Sequence, residues 1–177
     1  MVLEKIPTFS EVQTWANNNL VSSVNGNTGD VTVGGKGYIN GHQSDYLNYV
    51  DDGELANCWG TIEVNSGEFT IVDNNTIEVN EAGVYSVDYT CGFTQRSGDG
   101  HAIMLAKVHI NGTANFRHTG SRCFLRSTSS DGNRNSASNH SMHSLNAGDT
   151  IEVHVNRSAG VNGHDLTQAS CAVQKLE

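Results

Sequence analysis

Along most of the chain, apolar and polar residues alternate with a period of two. The clearest case is residues 76–94, TIEVNEAGVYSVDYTCGFT, where the polar turn Asn80-Glu81-Ala82-Gly83 joins a short alternating run to a long one. In the long run Tyr85, Val87, Tyr89, Cys91 and Phe93 share one face, which is the pattern of a strand buried on one side only. Residues 145–155, LNAGDTIEVHV, repeat the plan: a Gly-containing turn feeds another alternating strand. Further strands are expected over 59–64, 68–72, 103–110, 114–126 (broken at Gly120), 140–145 and 169–176. In the segment 103–110, Met104, Ala106, Val108 and Ile110 fall on one face and Leu105, Lys107 and His109 on the other, and Asn111-Gly112 supplies the turn that follows.

The front of the chain breaks this rhythm. Residues 6–20 carry a helical pattern: Thr8 stands three positions before Glu11, as in a capping box, and Val12, Trp15, Ala16 and Leu20 recur at helical steps. A lone short helix is marginal in water and needs a support. That support is either its own domain or a larger assembly; the second reading makes Phe9, Val12, Trp15 and Leu20 an assembly anchor. Residues 21–33 then read as a hairpin, two β-branched runs around Asn-Gly and Thr-Gly-Asp turn chemistry. Over 34–56 the periodicity fades, and the segment reads as a connector whose tyrosines dock it on neighbours. The organisation expected is therefore an anchor (1–33), a connector (34–56) and a β domain (57–177). Residues 127–139, STSSDGNRNSASN, read as an exposed loop. With the segments 95–101 and 158–166 they form the outward loops, and Arg96, His101, Asp131, Arg134 and His164 are the residues expected to meet the surroundings.

Composition sharpens the fold class. With 36% apolar residues, 19 Gly and a single Pro, the chain suits many short strands joined by tight turns. The expectation is an all-β, two-sheet antiparallel sandwich with a short N-terminal helix and hairpin. The net charge of -9 repels a phosphate backbone, which excludes nucleic acid as a natural partner; the acidic bias also suits a salty habitat. No apolar run reaches the roughly 18–20 residues that cross a bilayer, so no membrane insertion is expected. The first residues lack the build of a secretory signal.

The search for chemistry returns little. The four cysteines, Cys58, Cys91, Cys123 and Cys171, form no C-x-x-C pair. Asp51-Asp52-Gly53-Glu54 reads as a solvated turn rather than a calcium loop, its carboxylates lacking a regular ligand spacing. His140 and His143 stand three apart, on opposite faces of a strand, and cannot share a metal ion. His101, His118, His154 and His164 read as surface imidazoles. No nucleophile elbow, zinc-protease helix or phosphate loop occurs. No metal, no cofactor and no catalytic residue is expected, and the chain is not expected to be an enzyme. The rival reading, a glycan hydrolase, requires Glu63 or Glu78 to stand about 5–10 Å from Asp88. Sequons at Asn74, Asn111, Asn139 and Asn156 are what an Asn- and Ser-rich chain produces by chance.

Two resemblances give these elements a setting. The order of strands and turns, with Gly83, Val84 and Tyr85 in the first motif and Leu145, Gly148, Asp149 and Ile151 in the second, resembles the jelly roll of tumour necrosis factor and the complement globular head over residues 57–177. That resemblance implies a homo-oligomer, a trimer first, with a pentamer as the alternative for a vertex position. It also makes the strands of Cys91 and Cys171 neighbours, with two buried thiols as the default and a cross-strand disulfide as the alternative. The segment SVNGNTGDVTV (23–33) resembles one found in bacteriophage head and tail fibres. It implies a virion structural protein at the virion surface: an outward-projecting head fibre, turret or decoration, or a tail-associated appendage. Its partners would be capsid or tail proteins of the same virus and a host cell-surface glycan or protein. The alternative is a soluble jelly-roll carbohydrate- or receptor-binding ligand, unattached to any particle.

Overall fold

The computed structural model describes residues 23–24, 27–28, 37–43, 47, 50–95, 100–114, 120–127 and 133–176. The chain divides into two units, Met1–Gly35 and Lys36–Glu177. In the first, β1 (Ser23–Val24) and β2 (Asn27–Thr28) pair antiparallel, Ser23 opposite Thr28 and Val24 opposite Asn27. The helix expected over 6–20, and with it Phe9, Val12, Trp15 and Leu20, lies outside the described residues.

The second unit is a sandwich of two antiparallel sheets, as the alternation demands. Its strands are β3 (Tyr38–His42), β4 (Glu54–Leu55), β5 (Thr61–Asn65), β6 (Phe69–Ile71), β7 (Thr76–Val79), β8 (Gly83–Gln95), β9 (Gly100–Ile110), β10 (Thr113–Ala114), β11 (Gly120–Ser127), β12 (Arg134–Leu145), β13 (Thr150–Gly160) and β14 (His164–Lys175). One sheet has five strands in the order β12-β8-β14-β3-β5. The other has seven: β10-β9-β13-β7-β6, with β11 also on β9 and β4 on β13.

The core lies between the sheets and is made of the residues the period-two pattern turns inward. Tyr85, Val87, Tyr89, Cys91 and Phe93 of β8 face Ala102, Met104, Ala106 and Val108 of β9 and Ile151, Val153 and Val155 of β13, all buried. Each large side chain buried in this way stabilises the fold by about 1.5–3 kcal/mol before entropy is counted. The two turn motifs are structural devices. Asn111 and Gly112 both have positive φ, 51° and 71°, the signature of a type I′ turn. Asn111 also reaches sideways: its Nδ2 donates to Asp149 Oδ1 at 2.8 Å, and its Oδ1 accepts from the Thr150 amide at 2.8 Å. Asp149 Oδ2 in turn accepts from the Asn146 amide. Asp149 thus staples one turn to the next, and these donors hold its carboxyl below the usual carboxylate range.

Three expectations are corrected. The first concerns the connector: within 34–56, Tyr38–His42 forms β3, hydrogen-bonded to both β14 and β5. It escapes notice because one of its inward positions is glycine. A Cβ on Gly41 would sit 2.7 Å from the Cys58 carbonyl oxygen and 2.9 Å from the Trp59 ring, so the packing there excludes a side chain. Second, the exposed loop expected over 127–139 is in part strand, because β12 begins at Arg134, opposite Thr94. Its polar composition reflects an edge strand with a wet outer face, whose backbone is satisfied by β8. Third, the loop expected over 158–166 shrinks to the short link between β13 and β14, and His164 starts a strand.

Candidate interaction surface

The outward residues fare unequally. Arg96 and Asp131 lie outside the described residues. His101 is exposed on β9, stacked on Phe124 of β11 with ring centroids 5.7 Å apart. Arg134 is exposed at the start of β12. His164 is overturned: it is 0% exposed, and its Nδ1 lies 2.7 Å from Asp51 Oδ1.

Asp51 is the hub of a buried polar cluster at that end of the sandwich. Its Oδ2 accepts from the Gly163 amide at 2.7 Å, and Arg157 Nε stands 3.4 Å from Oδ1. Burial pushes the Asp51 pKa up, but the Gly163 amide, His164 and Arg157 together outweigh it, and the carboxyl sits below its ordinary range. The solvated turn expected at Asp51 is therefore an internal tie. The short 3₁₀ turn Val50–Asp52 is pinned to β13 and to the start of β14. No group of three or more metal-ligating side chains suited to an ion occurs among the described residues.

The outer face of the five-stranded sheet carries mostly polar side chains, with Met142 of β12 and Val64 of β5 exposed among them. His140 Nδ1 lies 2.8 Å from Asp88 Oδ1, with Ser86 Oγ donating to the other carboxylate oxygen at 3.1 Å. Farther along, Asn40 Nδ2 donates to Glu63 Oε2 at 2.8 Å, and His42 Nδ1 stands 3.4 Å from Glu63 Oε1. Two adjoining shallow concavities, of about 510 and 470 Å³, run across this face, sharing Asn40 and Ser170. Hydroxyls, carboxamides and His–carboxylate pairs of this kind bind through hydrogen bonds to polar ligands rather than by burying apolar area. The carboxylate pairs of the hydrolase reading do not assemble. Asp88 on β8 and Glu63 on β5 have β14 and β3 between them, three strand spacings or about 14 Å, and Glu78 belongs to the other sheet. His140 and His143 take opposite directions as expected: His140 meets Asp88, while His143 Nε2 lies 2.9 Å from Ser141 Oγ.

On the seven-stranded sheet, His109 and His154 stack with centroids 3.6 Å apart and planes 12° from parallel. His154 Nε2 lies 2.9 Å from Glu152 Oε2, and His109 Nδ1 donates to the Gly112 carbonyl at 3.1 Å. Burial first, then His154 and Lys107, lower the His109 pKa. The surface reading of His154 is corrected here: it is a packed imidazole, only 28% exposed. Its pairing with His109 was hidden in the sequence because it depends on β9 and β13 lying side by side in one register.

The four cysteines are free and buried. Cys91 faces Ala169 and Cys171 faces Tyr89 across β8 and β14, so the strands are neighbours as the resemblance implies, but the thiols sit on a diagonal and are not bonded.

No family model matches the sequence, and no curated protein matches it significantly. Solved structures do match. The chain is similar to the Eiger TNF of S. frugiperda, 17% identical with a TM-score of 0.54 over 81% of this chain and 92% of that one. It is similar to the globular domain of zebrafish complement 1qA protein, 9% identical with a TM-score of 0.57 over 80% of this chain and 98% of that one. Murine APRIL is 16% identical with a TM-score of 0.52, over 80% of this chain and 99% of that one. The shared feature is the fold: a jelly roll of the tumour necrosis factor and complement globular-head type.

Proposed function

We propose that this protein is a virion structural component: an outward-projecting head fibre, turret, decoration or tail-associated appendage at the virion surface, working by binding rather than by turnover. The jelly roll projects as a homotrimer, and residues 1–33 fasten it to capsid or tail proteins through Phe9, Val12, Trp15 and Leu20. What supports this reading is one conjunction. A front unit that ends at Gly35 carries the fibre-like SVNGNTGDVTV segment, and it is joined to a sandwich that completes its own core. Closed cyclic symmetry suits an appendage that must match a symmetric position on a particle.

The test is deletion of residues 1–33 followed by co-sedimentation with particles. The truncated chain is expected to keep its fold and oligomer and to lose particle association; retention on particles would overturn the proposal. A second reading, a soluble jelly-roll carbohydrate- or receptor-binding ligand, draws on the likeness in fold to Eiger TNF and APRIL. It makes the first 35 residues dispensable for the oligomer and for location.

A further inference from the structure

Charge on the sandwich is segregated. The whole chain carries -9, yet β9 and β11 contain no Asp or Glu at all. Their outward positions carry instead His101, Lys107, Arg122 and Arg126, set around Phe124 and Ile103. Strand register explains the clustering. Arg126 lies opposite His101, Phe124 opposite Ile103 and Arg122 opposite Leu105, so all these side chains rise from one face of a two-strand ribbon. Phe124 is 50% exposed, a large ring left in water, and the His101 imidazole stacks on it. Asn135 Nδ2 donates to the Phe124 carbonyl at 2.8 Å, which fastens β11 to the start of β12 and holds the ribbon in place.

We propose that this ribbon is a binding site for an anionic polysaccharide, gripped by Arg122, Arg126 and Lys107, with Phe124 as an apolar platform for a sugar ring. Guanidinium forks fit carboxylate and sulfate oxygens in pairs, and a half-exposed aromatic ring offers the flat apolar surface between them. The dimensions suit a chain rather than a single ion: Arg122 and Arg126 are four residues apart, about 13 Å along the strand, and His101 to Lys107 spans about 20 Å. The negative remainder of the molecule selects among polyanions. A phosphate backbone with one charge per about 1.7 Å is repelled by it, whereas a polysaccharide with sparser charges meets mainly the ribbon. The inference deepens the host-surface part of the proposed function, but the binding itself does not depend on particle attachment.

The experiment uses the full chain with three probes: chondroitin sulfate, polygalacturonate and neutral dextran. Binding to the sulfated probe, the carboxylated probe or both is expected, weakening as salt rises, with none to neutral dextran. R122Q/R126Q should bind at least tenfold more weakly with an unchanged unfolding curve, and Phe124→Ser should bind more weakly with an unchanged salt slope. If the double variant unfolds, Lys107→Gln serves in its place. Equal binding by variants and wild type, equal binding of neutral dextran, absence of binding, or preference for duplex DNA would each overturn the proposal. So would a changed oligomeric state in R122Q/R126Q, which would make the ribbon a subunit contact. Loss of polysaccharide binding with particle association intact separates this site from the attachment reading.

Discussion

The Tyr89 hydroxyl donates a hydrogen bond to the Ala106 carbonyl at 2.7 Å, joining β8 of the five-stranded sheet to β9 of the seven-stranded sheet through the middle of the core. Burial, with the nearby Cys91, pushes the phenol far above the ordinary tyrosine range, so the hydroxyl keeps its proton. Tyr89→Phe keeps the ring and removes this bridge. It is expected to cost about 1 kcal/mol, read as a lower urea midpoint at unchanged slope; an unmoved midpoint would show the bridge to be energetically idle.

Asp51→Asn leaves His164 and Arg157 facing a neutral amide inside the fold. Breaking a buried charged contact by altering one partner costs about 3 kcal/mol, so a marked loss of stability near neutral pH is expected. In the wild type the Asp51 carboxyl sits below the ordinary aspartate value of about 3.9. Its contribution is therefore complete above that pH and disappears as pH falls through the folded-state value. Equilibrium unfolding measured down the acid limb should show this loss in the wild type and a shallower one in the variant.

His109 shows linkage of the same sign, at higher pH. Its folded pKa lies below the ordinary histidine value of about 6.5, so the unfolded chain takes up a proton more readily than the native one. Stability should be complete above about pH 6.5 and decline as pH drops through it. Half-buried His143, lowered by that burial, adds to the same slope. His109→Gln should flatten part of the decline below about pH 6.5, and a slope identical to wild type would remove His109 from the account.

Burial leaves the thiols unreactive. It pushes Cys58 up to about 12 and Cys123 up to about 11, and raises Cys91 and Cys171 well above the ordinary thiol range. Since the thiolate is the nucleophile, a disulfide reagent at neutral pH should modify none of the four in the native protein and all four in denaturant. Fast labelling without denaturant would contradict the packing described for them.

Where the sequence was readable, local alternation matched burial. The inward face of β8 could be named residue by residue because large side chains stand at every second position from Tyr85 to Phe93. β3 could not, since Gly41 takes an inward place that a side chain would clash with. β12 was half missed because Ser, Asn and Arg read as loop when only strand pairing tells them apart from one. His164 was misplaced for a deeper reason: its partner Asp51 is 113 positions away, and no local pattern registers a contact at that distance. The cationic ribbon escaped likewise, because two unremarkable strands acquire their common charge only when β11 is laid against β9.

The place of β14 between β8 and β3 has a consequence for biosynthesis. His42 on β3 pairs with Ser170 on β14, so β3 stays unpaired on that side until a strand more than a hundred residues farther along the chain has been made. Such long-range pairing makes folding slow and exposes a bare strand edge while the nascent chain waits. A chaperone that shields β3 during translation should therefore raise the yield of soluble protein more than any change to its finished surface.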